Sequence, residues 1–200
     1  MAVATAVWSP CYFTGWTAAN HWGLTEQVFR TTVVKTTQRV RAAAVRLLDH
    51  DYLLTHAAEP EMAWGIDSIW HEELRMRIAD PARTVIDILD TPRLGGGIRH
   101  VAEVLHAYLN EHDPGRLVDY GDRLGNRALF KRLGYLVDAL GLPDHGLAEA
   151  CEHRLSAGIS LLDPDATDQG VRSMRWHVRV NVRINPVDGR DPRTRAARPS

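Results

Sequence analysis

The sequence predicts an α+β fold: an N-terminal helix and a small, mainly antiparallel sheet, then a helical C-terminal part with a returning basic-faced strand. Three observations predict it. β-branched runs and period-two alternation crowd the first 80 residues, apolar spacings of three and four dominate from Asp80 to about Leu155, and a long alternating segment follows near the C-terminus. With 200 residues, 44% of them hydrophobic and 24% charged, the chain is long enough to bury a sizeable core. It contains no apolar run of the roughly 20 residues that a membrane helix needs, and Met1 to Pro10 does not read as a signal peptide, so the expected location is cytoplasmic.

The first helix is expected from about Phe13 to Trp22, ended by Gly23, because glycine takes the left-handed conformation there at least cost. The stretch from Thr14 to Val34 invites a helix-turn-helix reading. After Gly23, however, only Thr25 to Arg30 remain before the β-branched run Thr31 to Thr37, too little for a helix that lies in a major groove. The segment therefore reads as a core helix, with Trp16, Ala19 and Leu24 inward, leading into a strand. Further strands are expected at Val45 to Leu48 and Tyr52 to Ala57, joined by a turn through Asp49, His50 and Asp51. Another is expected at Glu73 to Ala79, with Leu74, Met76 and Ile78 on one face and Arg75 and Arg77 on the other.

Asp80-Pro81 is a helix start, an N-cap carboxylate followed by proline at the first helical position, and Val85, Ile86 and Leu89 form the stripe behind it. Leu94-Gly-Gly-Gly97 breaks the chain before a second helix with Ile98, Val101, Leu105, Tyr108 and Leu109 on one face. Asp113-Pro114 repeats the start signal for a helix to about Leu124, and the next runs from about Asn126 to Leu140, stopped by Gly141. A fifth is expected from Gly146 to Leu155. Met174, Trp176, Val178, Val180, Val182 and Ile184 then alternate with Arg175, His177, Arg179, Asn181 and Arg183, which reads as one half-buried strand with a basic outer face. Residues 185–200, rich in Pro, Gly, Asp and Arg, are expected to be a disordered tail.

The chain's net charge of −1 argues against a generic nucleic-acid binder, but its distribution is uneven. Residues 171–200 hold eight Arg against Asp188 and Asp191, a net of +6, which leaves −7 for the first 170. Only Lys35 and Lys131 among the 24 basic residues are lysine, which reads as compositional bias without mechanistic weight. Cys11 and Cys151 are too few and too far apart for a zinc knuckle or a disulfide framework. No nucleophile motif is present, and His100, His106 and His112, six apart, point in different directions around a helix. No catalytic, cofactor-binding or metal-ligating residues are expected. The backbone of Leu94-Gly-Gly-Gly-Ile98 could face a phosphate but lacks the accompanying lysine and hydroxyl, and Asp67 with Glu73 and Arg75 only faintly follows a nuclease pattern. What remains is the arginines: Arg75 and Arg77 on one strand, Arg175, Arg179 and Arg183 on another, are the candidate nucleic-acid or partner-binding residues, the alternative being pairing with the surplus acids.

Two segments, Ile78 to Ile98 and Phe130 to Gly141, resemble the AbiEi-type antitoxins of bacterial type IV toxin–antitoxin systems, whose founding members act in phage-abortive infection. The Gly15-Trp-Thr-Ala-Ala-Asn-His-Trp-Gly-Leu-Thr25 segment and Trp176 to Asn181 are similar to the same family in order and spacing. The resemblance covers residues 12–184, with 1–11 as an extension and 185–200 as the tail. It implies a non-enzymatic antitoxin that counteracts a cognate nucleotidyltransferase toxin, by contact with it or through its RNA target. Many members also repress their own operon through an N-terminal winged helix-turn-helix, for which the sequence before residue 12 leaves no room. The alternative expectation is a DNA-binding transcriptional regulator that uses the basic sheet face and the tail on operator DNA. Within the matched segments, Arg83 and Asp87 are spaced to pair across a helical turn, and Arg132, Gly134 and Tyr135 are expected to pack two helices together.

Overall fold

In the computed structural model, residues 1–71 and 73–184 are described; the tail expected over 185–200 lies outside them. The N-terminal half builds a mixed six-stranded sheet from β1 (Cys11–Phe13), β2 (Thr32–Thr36), β3 (Ala44–Leu47), β4 (His50–His56), β5 (Ile66–His71) and β6 (Leu74–Ala79), in the spatial order β3-β4-β2-β1-β6-β5. The pairs β1–β2, β3–β4 and β5–β6 are antiparallel, and β1–β6 and β2–β4 are parallel. The expected hairpin forms, but its loop is the two residues Leu48 and Asp49, both with positive φ, so His50 begins β4 instead of lying in the turn.

The first helix differs from expectation. A helix not foreseen, α1 (Ala2–Trp8), opens the chain and buries Ala4 against the sheet. Phe13 belongs to β1, and α2 spans Gly15–His21, because Cys11, Tyr12 and Phe13 are all buried, as in a strand covered on both faces. After Gly23 the chain to Arg30 forms no helix. Trp16 stacks on Phe29 at 4.7 Å and donates its indole N–H to the Thr31 carbonyl (2.5 Å), tying the loop to α2. This arrangement leaves no recognition helix in the segment.

The helical part follows the expected order: α3 (Pro81–Asp90), α4 (Ile98–Glu111), α5 (Gly115–Leu124), α6 (Arg127–Leu140) and α7 (Leu147–Glu152). Asp80 caps α3 by accepting from the Arg83 N–H at 2.7 Å, and Asn126 caps α6 by accepting from the Ala128 N–H at 3.1 Å. Helix α3 is the central element, buried from Ala82 to Leu89 among α2, α4, α5 and α6. The sheet separates two apolar clusters: Val33 joins the one around α3, and Val34 joins the one containing Ala4, Phe13 and Ile78. Among the described residues no helix is long and apolar enough to cross a membrane.

The expected continuous strand from Met174 to Ile184 is corrected. β7 (Ser160–Leu161), β8 (Val171–Ser173) and β9 (Val178–Val180) form a separate three-stranded sheet in the order β7-β9-β8, so the returning strand does not rejoin the first sheet. Residues 174–177 are a turn, with His177 at φ 50° and Met174 at the surface. The alternation fails there because Trp176 leaves the strand register to bury its ring against α6.

Candidate functional site

The most organised polar group in the protein is a buried ionic cluster around Asp87 of α3. Its Oδ1 accepts from Lys35 Nζ (2.8 Å) and Arg83 Nε (3.0 Å), and its Oδ2 accepts from the Thr14 hydroxyl (2.7 Å) and the Tyr12 hydroxyl (3.1 Å). Arg83 Nη2 donates to Tyr12 Oη and to Glu61 Oε2, both at 2.8 Å, and Lys35 Nζ lies 3.5 Å from the same Glu61 oxygen. The Trp64 ring covers the Arg83 guanidinium at 3.6 Å, and among the described residues Arg83 Nη1 has no hydrogen-bond acceptor. Two cations face two carboxylates, so no net charge is buried.

The electrostatics follow from this pairing. Burial alone would push the Asp87 carboxyl up, but Lys35 and Arg83 outweigh it and hold it below the ordinary carboxylate range. Burial likewise opposes the charge on Lys35, yet Asp87 and Glu61 raise it above its usual value. Both Asp87 oxygens accept two hydrogen bonds and the side chain is fully buried, so the carboxylate has no access to a substrate proton. The cluster clamps the crossing segment of Glu61 and Trp64 to β1, β2 and α3. The Arg83–Asp87 pair was legible from its spacing; Lys35 and Glu61 were missed. The available signal was the rarity of lysine: both Lys35 and Lys131 are buried.

A second polar group joins α6 to its surroundings. Arg132 donates to the carbonyls of Leu89 (3.0 Å), Asp90 (3.2 Å) and Leu161 (3.2 Å), satisfying the C-terminal end of α3. Burial depresses its pKa, partly offset by Asp90 and Asp163. Lys131 donates to the carbonyls of Gly158 (2.9 Å) and Ala157 (3.4 Å). Gly134 was expected to join two helices; it instead leaves room for the Trp176 ring, which a Cβ there would overlap. Asn181 grips the Asp163 backbone with a donated bond of 2.7 Å and an accepted bond of 3.0 Å, and the Asp163 carboxylate accepts from Ile98 N–H at 3.0 Å. The N-terminus of α4, where a phosphate could have lain, is thus capped from within the chain.

The five candidate arginines are not brought together on one sheet. Arg75 and Arg77 lie on β6, Arg75 exposed and Arg77 donating to the Met62 carbonyl. Arg175 stacks on Trp176 and pairs with Asp138 (3.0 Å) and Glu152 (2.7 Å). Arg179 on β9 pairs with Asp168, and Arg183 is exposed, its carbonyl accepting from Arg99 Nε at 3.0 Å. Asp67 and Glu73 are both at the surface, away from the buried cluster. His100 bonds the Gly95 carbonyl through Nδ1 (2.6 Å) and Thr25 through Nε2 (2.7 Å). Among the described residues no group of three His, Cys, Asp or Glu side chains is placed to hold a metal. Both cysteines are free and buried.

No family model matches the sequence, and no curated protein matches it. Among solved structures, the fold is similar to the RV2827C protein from Mycobacterium tuberculosis, known from a crystal structure, with a TM-score of 0.56 over 84% of this chain at 14% sequence identity. The match spans 61% of that chain's length. At this identity the likeness establishes a shared fold.

Proposed function

We propose that the chain is an antitoxin that counteracts a cognate nucleotidyltransferase toxin, acting as a binding protein. The observation that carries this reading is where the four family-like segments meet. Trp22 in the first donates to the Ala79 carbonyl in the second; Arg132 in the third holds the Leu89 and Asp90 carbonyls in the second; Gly134 in the third receives Trp176 of the fourth; and Asn181 of the fourth positions the cap of α4. Residues so far apart that touch one another form a framework, which supports reading the four segments together. The reading also accords with an Asp87 carboxylate both of whose oxygens are bonded within the chain.

The test is co-expression. A nucleotidyltransferase encoded beside this gene arrests growth when expressed alone, and co-expression of this chain restores growth; persistent arrest with the antitoxin abundant and folded overturns the reading. Measuring toxin modification of its RNA substrate with and without this chain then separates neutralisation by contact from action through the target.

A further inference from the structure

Five of the six tryptophans are committed inside the protein. Trp8 packs on Tyr52, Trp16 on Phe29, Trp64 on Arg83, and Trp176 on Arg175, while Trp22 donates to the Ala79 carbonyl at 2.7 Å. Trp70 is the exception: it is 69% exposed, and among the described residues no ring, cation or hydrogen-bond acceptor engages it. It lies on β5, an edge strand of the six-stranded sheet. The opposite edge, β3, is a strand of 4 residues carrying Arg46, which lies 3.4 Å from Asp49 and 4.0 Å from Asp51. β5 spans 6 residues, Ile66-Asp-Ser-Ile-Trp-His71, with no proline, lysine or arginine, and Asp67 is its one acidic residue.

We infer that β5 pairs antiparallel with β5 of a second copy of this chain, about a twofold axis at Ser68. The register of β5 on β6 places Ile66, Ser68 and Trp70 on one face and Asp67 and Ile69 on the other, with Ile66 and Ile69 half-buried against the cluster around Phe13 and Ile78 and Ser68 and Trp70 exposed. The first set is self-complementary about Ser68. A twofold axis normal to the sheet there sets each Trp70 against the second copy's Ile66, an aromatic and β-branched pair, made twice. The two small Ser68 side chains meet at the axis, and Asp67 meets Ile69 on the other face. An axis at Asp67 would oppose two carboxylates, and one at Ile69 would set Trp70 against serine, so Ser68 is the favoured centre. A nucleic-acid occupant is disfavoured: Arg77 already donates to the Met62 carbonyl, Asp67 in β5 and Glu73 in the turn add negative charge to the hairpin, and the chain's net charge is −1. The inference rests on the sheet edge and is independent of the toxin reading.

Three measurements test it on the full chain. Light scattering during gel filtration gives a concentration-dependent dimer for the wild type, Ser68→Lys gives a monomer by opposing two ammonium groups, and Trp70→Ala raises the dimer dissociation constant about tenfold. Under mild oxidation Ser68→Cys forms an intermolecular disulfide, because directly opposed residues have Cα atoms about 4.5–5.5 Å apart. Asp67→Cys does not, since its counterpart is offset by two residues and lies roughly 8 Å away. The native thiols are buried and do not compete. A wild type that stays monomeric at tens of micromolar overturns the inference, as does a dimer that survives Ser68→Lys or cross-links equally through both cysteine variants. Since the side chains of Asp67, Ser68 and Trp70 are exposed, circular dichroism of each variant separates lost pairing from lost folding.

Discussion

At the residue scale, Lys35 and Asp87 behave as one unit, and the consequences of breaking it are asymmetric. Lys35→Met leaves Arg83 facing two carboxylates in a dry site, and Asp87→Asn leaves two cations short of charge. Each should cost about 3–5 kcal/mol, read as a fall in the urea midpoint at unchanged slope. A loss below about 1 kcal/mol would mean that the cluster is hydrated and not a clamp. The pH dependence has a definite sign. Because folding lowers the Asp87 pKa, its contribution is complete above the ordinary carboxylate value of about 4 and is lost as pH falls through the lower folded value. Because folding raises the Lys35 pKa, its contribution is complete below about 10.4 and is lost as pH rises through the higher folded value. Thermal melts across pH should therefore show an acid-side decline that Asp87→Asn makes shallower. The cysteines give an independent probe of packing: burial pushes the Cys11 thiol up to about 11 and Cys151 up to about 12, so a thiol reagent at neutral pH should label neither in the native protein and both in urea.

At the element scale, the junction between α6 and the turn before β9 is set by one pair of side chains of unequal size. Gly134→Ala places a methyl in the Trp176 ring and should cost about 1–3 kcal/mol by overpacking, while Trp176→Ala empties the site and should cost about 3–5 kcal/mol. The double variant Gly134→Ala with Trp176→Leu should recover part of the first loss, and measured unfolding energies that simply add would show that the two sites do not share this space. The period-two alternation from Met174 to Ile184 was a sound reason to expect a strand. What it could not register is that α6 presents a glycine at this height, so that burying one large ring outweighs continuing a ladder.

At the scale of the whole molecule, the described residues form a mixed sheet with α3 on one face and α1 on the other, α2, α4, α5 and α6 gathered round α3, and a small second sheet beside α6. Helix α1 belongs to this body, since Ala4 is fully buried and the Cys11 sulfur lies 3.8 Å from its carbonyl. Removing residues 1–8 should uncover the apolar face around Phe13 and Ile78 and lower the melting temperature, together with increased binding of a hydrophobic dye; an unchanged melt would show α1 to be dispensable. Hydrogen exchange should rank the same way, slowest in α3 and β2 and fastest in the β5–β6 hairpin of the monomeric Ser68→Lys protein.

Sequence by itself determined the α+β class, the order of helices α3 to α7, and most of their ends, because those rest on local chemistry: Asp80 and Asn126 as caps, Gly141 in a left-handed stop, and apolar residues at helical spacing. It also placed Arg83 opposite Asp87, since a pair four apart on a helix is local. The tertiary structure alone decided that Phe13 extends a strand, that the C-terminal strands form a sheet of their own, that Arg175 and Arg179 answer to nearby acids, and that Lys35 is the counterion of a carboxylate 52 positions away. Those outcomes depend on which surfaces meet after the chain has crossed itself. A strand's burial, a cation's partner and an edge strand's exposure are properties of that meeting, and no period or spacing along the chain encodes them.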